Sequence, residues 1–184
     1  MRDYSKMDDD LLISLFLSIM AFDPDDVGKS PLELRKSYPN DFWKIYREIE
    51  HREIYKKSID YLFIGIVGSR SRDTAEDLFL VVNEFNKLEW QKEEIVIVSG
   101  LCPKGGDRFA TLIYQKNETM KLWFPPEWSL GRHAGFVRNT EIARWSNYLI
   151  ATPSPNRKGG TEDTIKKFTR FHGHLSRFMG NIGV

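Results

Sequence analysis

Tyr61-Leu62-Phe63-Ile64-Gly65-Ile66-Val67 is an unbroken apolar run that ends in Gly68-Ser69-Arg70, and this pairing decides the fold. A strand buried on both faces reads as a continuous apolar run, the pattern of parallel sheets covered by helices. The same sequence of features recurs along the chain. Glu94-Ile95-Val96-Ile97-Val98 leads into Ser99-Gly100 and on to Lys104-Gly105-Gly106-Asp107. Met120-Lys121-Leu122-Trp123-Phe124 leads into Pro125-Pro126-Glu127-Trp128, and Tyr148-Leu149-Ile150-Ala151-Thr152 is followed by Gly159-Gly160-Thr161. Strands are predicted at 60–67, 94–99, 119–124 and 147–152, alternating with helices at 73–88, 106–116, 133–145 and 161–178. The connections are too long for hairpins, so the chain reads as α/β, built of βαβ units. In open parallel sheets, ligands bind beyond the carboxyl ends of the strands, where helix N-termini offer unpaired N–H groups to anions. The four clusters thus share one rim, and the expected ligand is a phosphate-bearing small molecule.

Composition narrows the class. The chain has 184 residues, 41% apolar and 29% charged, with a net charge of +1 and a pI near 7.8. This is enough for one α/β domain and an appendage, and there is no global basic field for duplex nucleic acid. One cysteine, Cys102, excludes an internal disulfide framework and fits a reducing compartment. Leu11 to Phe22 is the longest apolar stretch; it is too short to span a membrane and follows Asp8-Asp9-Asp10 rather than a basic segment. The expectation is a cytoplasmic protein with no membrane partner.

Residues 1–58 and 59–184 differ in kind. The first part reads as a helical N-terminal extension. Leu11, Leu12, Leu15, Phe16, Ile19 and Met20 form a helical stripe behind three aspartates. Ser30-Pro31-Leu32-Glu33 reads as a capping box. Pro39-Asn40-Asp41 restarts a helix with Phe42, Trp43, Ile45, Tyr46 and Ile49 as its apolar positions.

Each cluster carries two readings. Gly68 and Ser69 suit a phosphate or ribose and Arg70 an anion, or the segment is a βα turn capped by Asp73. Ser99, Gly100, Lys104, Gly105, Gly106 and Asp107 form a small-residue loop with Asp107 as N-cap; it is neither a Walker A loop nor GxGxxG. Cys102 within it is a nucleophile without an obvious base, or a semi-buried thiol. Trp128, Gly131, Arg132, His133, Gly135, Arg138 and Asn139 form the densest cluster of ligand-binding candidates. Trp128 stacks on a base or closes the core, and His133 is an acid/base or merely exposed. Arg138 reads as a rim arginine whose loss weakens an anion by about 1.5–3 kcal/mol and leaves the fold intact. Gly159, Gly160 and Thr161 form a phosphate subsite beside Arg157 and Lys158, or a helix start capped by Thr161. His172 and His174 diverge on a helix and do not share a metal. No metal or cofactor is expected.

Taken together, GSR at 68–70, SGxxxKGGDRFA from Ser99, PPEWxxxGxxAGFVRN from Pro125 and GGTEDTI from Gly159 resemble the YspA-like branch of the SLOG superfamily of Rossmann-like nucleotide-binding proteins. The resemblance covers about residues 60–170. It implies a parallel sheet in the order 3-2-1-4, with a crevice between the first and fourth strands. It also implies a nucleotide or nucleotide-derived ligand such as a relative of ADP-ribose, bound in a sensing or processing role, and a homo-oligomer. Phosphoribohydrolases of the same superfamily cleave the N-glycosidic bond of nucleoside 5′-monophosphates with the glutamate of PGGxGTxxE. Here that position is Thr164, which leaves Glu127, Glu141, Glu162 and Asp163 as substitute carboxylates for hydrolysis. A third reading is single-stranded DNA binding, with Arg132, Arg138, Arg157, Lys158, Lys166, Lys167 and Arg170 as a basic strip.

Overall fold

A computed structural model describes residues 4–9, 11–12, 15–16, 42–52, 61–88, 94–172 and 179–181. Helix α1 spans Phe42–Arg52, and from there strand and helix alternate: β1 Leu62–Gly68, α2 Ala75–Asn86, β2 Ile95–Ser99, α3 Gly106–Asn117, β3 Met120–Trp123, α4 Ala134–Trp145, β4 Tyr148–Thr152 and α5 Gly160–His172. A short strand, β5, follows at Met179–Asn181. The sheet is wholly parallel, in the order β3-β2-β1-β4-β5.

The 3-2-1-4 order expected from the resemblance is therefore present, with β5 added beside β4. The predicted helix 161–178 is described as far as His172, and 179–181 pairs with β4 as a strand. Met179-Gly180-Asn181 is too short and too polar to register as an apolar run. The segment 173–178, His174, Ile19, Met20, Ser30–Glu33 and Pro39–Asp41 lie outside the described residues.

Alternation along each strand builds two cores. Phe63, Val67, Val96, Val98, Leu122, Leu149 and Ala151 face one side and pack with Ile142, Ala143 and Trp145 of α4 and Ile165 and Phe168 of α5. Ile64, Ile66, Ile95, Ile97, Tyr148 and Ile150 face the other and pack with Val81 and Phe85 of α2 and Phe109, Ala110 and Ile113 of α3. Successive strand residues point to opposite faces, so an apolar residue at every position means helices on both sides. β1 to β3 progress outward over one face, and the connection through α4 then crosses back over the other to reach β4. Strand order reverses between β1 and β4, the place where a crevice opens in folds of this kind.

The N-terminal part enters the same core. Tyr4, Leu12, Phe16, Ile45 and Ile49 are buried with the α4–α5 side of the sheet. Phe16 stacks on Trp145 with ring centroids 5.3 Å apart, and Tyr46 does so at 5.8 Å. Tyr46 also donates its hydroxyl to Glu141 of α4 at 2.8 Å. Among the described residues, no helix is long and apolar enough to cross a membrane.

Candidate functional site

The carboxyl ends of β1, β2, β3 and β4 surround a crevice of about 730 Å³. Small-molecule sites run from roughly 300 to 1,000 Å³. All four clusters contribute to it. Gly68, Ser69, Arg70, Gly100, Asp107, Trp128, Gly135, Arg138, Asn139, Gly159, Gly160 and Thr161 line it, as the sequence reading expects of ligand-binding residues. Ser99, Lys104, Gly105, Gly106 and Gly131 do not.

Three of the five outside the lining have structural work. Ser99 is fully buried and donates its hydroxyl to the Ile66 carbonyl at 2.7 Å, tying β2 to β1. Gly105 has a φ of 69° and is the N-cap of α3, and its N–H donates to Asp73 at 2.9 Å. At Gly106 a Cβ would overlap the carbonyl carbon of Val67 and the nitrogen of Gly68. These glycines let α3 start against the end of β1. Gly106→Ala is thus expected to cost about 1–3 kcal/mol from overpacking, visible as a lowered midpoint in thermal melts. An unchanged midpoint would mean the helix can move off the strand.

Three caps differ from expectation. Helix α2 is capped by Thr74, whose Oγ1 accepts the Asp77 N–H at 3.1 Å while Asp77 accepts the Thr74 N–H at 3.3 Å. Asp73 instead reaches across to α3, accepting from Arg108 Nε at 2.7 Å, and that guanidinium holds its carboxyl below the ordinary value. Asp107 is not the N-cap of α3 either. It is buried, and its Oδ2 accepts the Cys102 N–H at 3.0 Å and Arg138 Nη1 at 3.0 Å. Thr161 is likewise inside α5 rather than capping it: the helix begins at Gly160, and the Gly159 carbonyl accepts the Asp163 N–H at 3.1 Å.

Arg138 is the main correction. It lines the crevice, but the same Nη1 that meets Asp107 also donates to the Gly100 carbonyl at 2.6 Å. Its guanidinium occupies the place a Cβ on Gly100 would take. Nε is buried without a partner among the described residues. The side chain is a strut joining α4 to the loop after β2 and to α3. Burial pushes the Asp107 carboxyl up, and the charge of Arg138 opposes that rise. Asn139 is a second clip: its Nδ2 donates to the Gly160 carbonyl and to Asp163, both at 3.1 Å, seating the start of α5 on α4.

The remaining rim cations sort by partner. Arg157 pairs with Glu162 at 2.9 Å and Lys167 with Asp163 at 2.7 Å. Arg70 and Lys158 line the crevice, are exposed, and make no side-chain ion pair among the described residues. They are the cations available to an anion there.

The candidate carboxylates lie elsewhere. Glu127 accepts from Ser129, Glu141 from Tyr46, and Glu162 pairs with Arg157; none lines the crevice. Asp163, held by Asn139 and Lys167, does not line it either. Thr164 does line it, but it is buried and donates its hydroxyl to the Gly160 carbonyl at 3.0 Å. Asp107, committed to Arg138, is the single acidic residue in the lining among the described residues. His133 is exposed on the 3₁₀ turn Trp128–His133 and is not in the lining; the Arg132 side chain lies outside the description. Among the described residues, no group of three or more His, Cys, Asp or Glu side chains could hold a metal.

Several lining residues are not among the ligand-binding candidates that the sequence points to: Pro103, Pro125, Pro126 and Phe136, with Cys102 and Lys158 also in the lining. Phe136 is half exposed in the first turn of α4, where an apolar residue in a helical pattern reads as core. No protein family, curated protein or solved structure is matched by this chain.

Proposed function

We propose that the protein binds a nucleotide or nucleotide-derived ligand, of the nucleoside phosphate or ADP-ribose type, at the carboxyl rim of its sheet. The observation that carries this reading is that one crevice of about 730 Å³ spans the β1/β4 reversal and is lined by all four clusters. Its β4 side combines the start of α5 with Arg70 and Lys158, a setting suited to phosphate. The resemblance to the YspA-like branch of the SLOG superfamily points the same way, and with it to a homo-oligomer; the chain's one cysteine fits the reducing compartment of a cytoplasmic protein.

The lining favours binding over hydrolysis of the N-glycosidic bond. Glycoside cleavage uses a carboxylate beside the scissile bond, and among the described residues the one lining carboxylate, Asp107, is held by Arg138. Single-stranded DNA is disfavoured too, because Arg138, Arg157 and Lys167 are neutralised by Asp107, Glu162 and Asp163.

Calorimetric titration with nucleoside 5′-monophosphates, nucleoside diphosphates and ADP-ribose is the direct test, and saturable binding by at least one is expected. Arg70→Ala and Lys158→Ala should each weaken it by about 1.5–3 kcal/mol, the range of a charge-assisted hydrogen bond. Their melting midpoints should be unchanged, because both side chains are exposed. Absence of binding by every compound would refute the proposal. Base release with full turnover would move the function to hydrolysis.

A further inference from the structure

The four strand ends do not offer the same chemistry, and their order along the sheet turns that difference into a gradient. At the β4 end the crevice is polar: Lys158, Gly159, Gly160 and Thr161, with Ser69 and Arg70 from neighbouring β1. At the β3 end it is lined by Pro125, Pro126 and Trp128, with Leu101, Cys102 and Pro103 from neighbouring β2. The Arg138–Asp107 pair is anchored to the loop after β2, between the two ends.

Trp128 is 63% exposed, whereas Trp123 and Trp145 are 8% and 0%. It lies on a 3₁₀ turn at the mouth of the crevice rather than under the sheet. A tryptophan face left in water beside an apolar, proline-walled recess is a stacking surface for a planar ring. The recess is also poor in groups that read the edge of such a ring. Pro103, Pro125 and Pro126 have no backbone N–H, and the side chains of Leu101, Cys102, Pro103, Pro125, Pro126 and Trp128 offer only the Trp128 indole N–H and the weakly bonding Cys102 thiol.

We infer that the β3 end of the crevice holds the ligand's base by stacking on Trp128 and does not discriminate between bases. The inference rests on the nucleotide reading above and adds where selectivity lies: in the phosphate and sugar at the β4 end, not in the base. Every nucleobase has a π-face, so stacking is tolerant where edge hydrogen bonds are selective.

The experiment titrates the full chain with adenosine, guanosine, cytidine and uridine 5′-monophosphates and with ribose 5-phosphate, reading both heat and tryptophan fluorescence. The four nucleotides are expected within about fivefold of one another and each about tenfold or more tighter than ribose 5-phosphate, the gain from one stacked base. Nucleotide binding should quench fluorescence. Trp128→Ala should bring the nucleotides down to the affinity of ribose 5-phosphate and leave ribose 5-phosphate itself unchanged, while Trp128→Phe keeps most of the gain. An exposed residue supports little of the fold, so both variants should melt as the parent does.

A preference of more than about thirtyfold for one base would overturn the inference, as would equal losses for nucleotides and ribose 5-phosphate in Trp128→Ala. If ribose 5-phosphate binds and nucleotides bind no tighter, stacking is refuted while the phosphate site stands. If none of the five binds, and ADP-ribose and the nucleoside diphosphates do not bind either, the nucleotide reading and this inference fall together.

Discussion

Removing residues 1–58 is expected to abolish the native state rather than trim an appendage. The described N-terminal residues are not spread over the surface: Leu12, Phe16, Ile45 and Ile49 are 0–1% exposed and share one core with β1, β2, β4, α4 and α5. Burial of a large aliphatic or aromatic side chain contributes about 1.5–3 kcal/mol, so these four carry roughly 6–12 kcal/mol. The whole stability of a domain is about 5–15 kcal/mol. The deletion would also uncover Trp145, fully buried among Phe16, Tyr46, Phe63 and Phe124. A fragment of residues 59–184 should therefore precipitate, or remain as a compact state that has lost near-ultraviolet circular dichroism and melts without a cooperative transition. A fragment with the parental near-ultraviolet spectrum and a sharp melt would show that the sheet and its four later helices suffice. Phe16→Ala in the full chain gives a graded version, with an expected loss of about 3–5 kcal/mol.

That result bears on how far the sequence could be read. The four longer strands were legible because buried parallel strands such as Phe63–Val67 and Ile95–Val98 are apolar at every position, a signal local to the strand. Helices α2 to α5 followed from the alternation. β5 was not legible, since three residues of mixed character carry no periodicity. The role of the N-terminal part was not legible either. Leu12, Phe16, Ile45 and Ile49 showed that amphipathic helices exist, but an apolar stripe does not say which surface it covers.

The rim shows the same division. Clustering of small and polar residues after each strand located the crevice, because strand ends and helix starts converge there in any parallel sheet. The role of each glycine depended on what stands opposite it. Gly106 and Gly135 look alike in the sequence, yet a Cβ on the first would strike Val67, and one on the second would meet nothing within 4 Å. Asp107 read as a cap because it stands near a helix start, and Asp73 for the same reason. Both instead bridge to another helix or loop through partners 35 and 31 residues away. Partners at such separation are set by topology and leave no local trace.

Arg138 is where this matters most, and its substitution has the second large expected effect. A rim arginine could be lost without harm to the fold; a strut over a buried carboxylate cannot. The Arg138 side chain is 19% exposed and that of Asp107 4%. Removing one member of such a pair leaves the other charged and buried, at a cost of about 3–5 kcal/mol. Arg138→Ala should therefore lower the urea midpoint substantially, before any ligand is added. Asp107→Asn on that background should recover part of the loss, because the amide can still accept the Cys102 N–H without a buried charge.

The pH dependence has a definite sign. Burial lifts the Asp107 carboxyl above its unfolded value. A carboxyl raised on folding favours the native state most when protonated, so its contribution is present below the unfolded value and is lost as pH rises through the folded one. Without the opposing charge of Arg138 the lift grows. The deficit of Arg138→Ala relative to the parent should thus be greatest near neutral pH and shrink as the solution is acidified towards the ordinary carboxylate range. In the Asp107→Asn background that pH dependence should disappear. Parental stability in Arg138→Ala, with nucleotide affinity alone reduced, would return Arg138 to the role of a ligand-binding arginine and remove the strut.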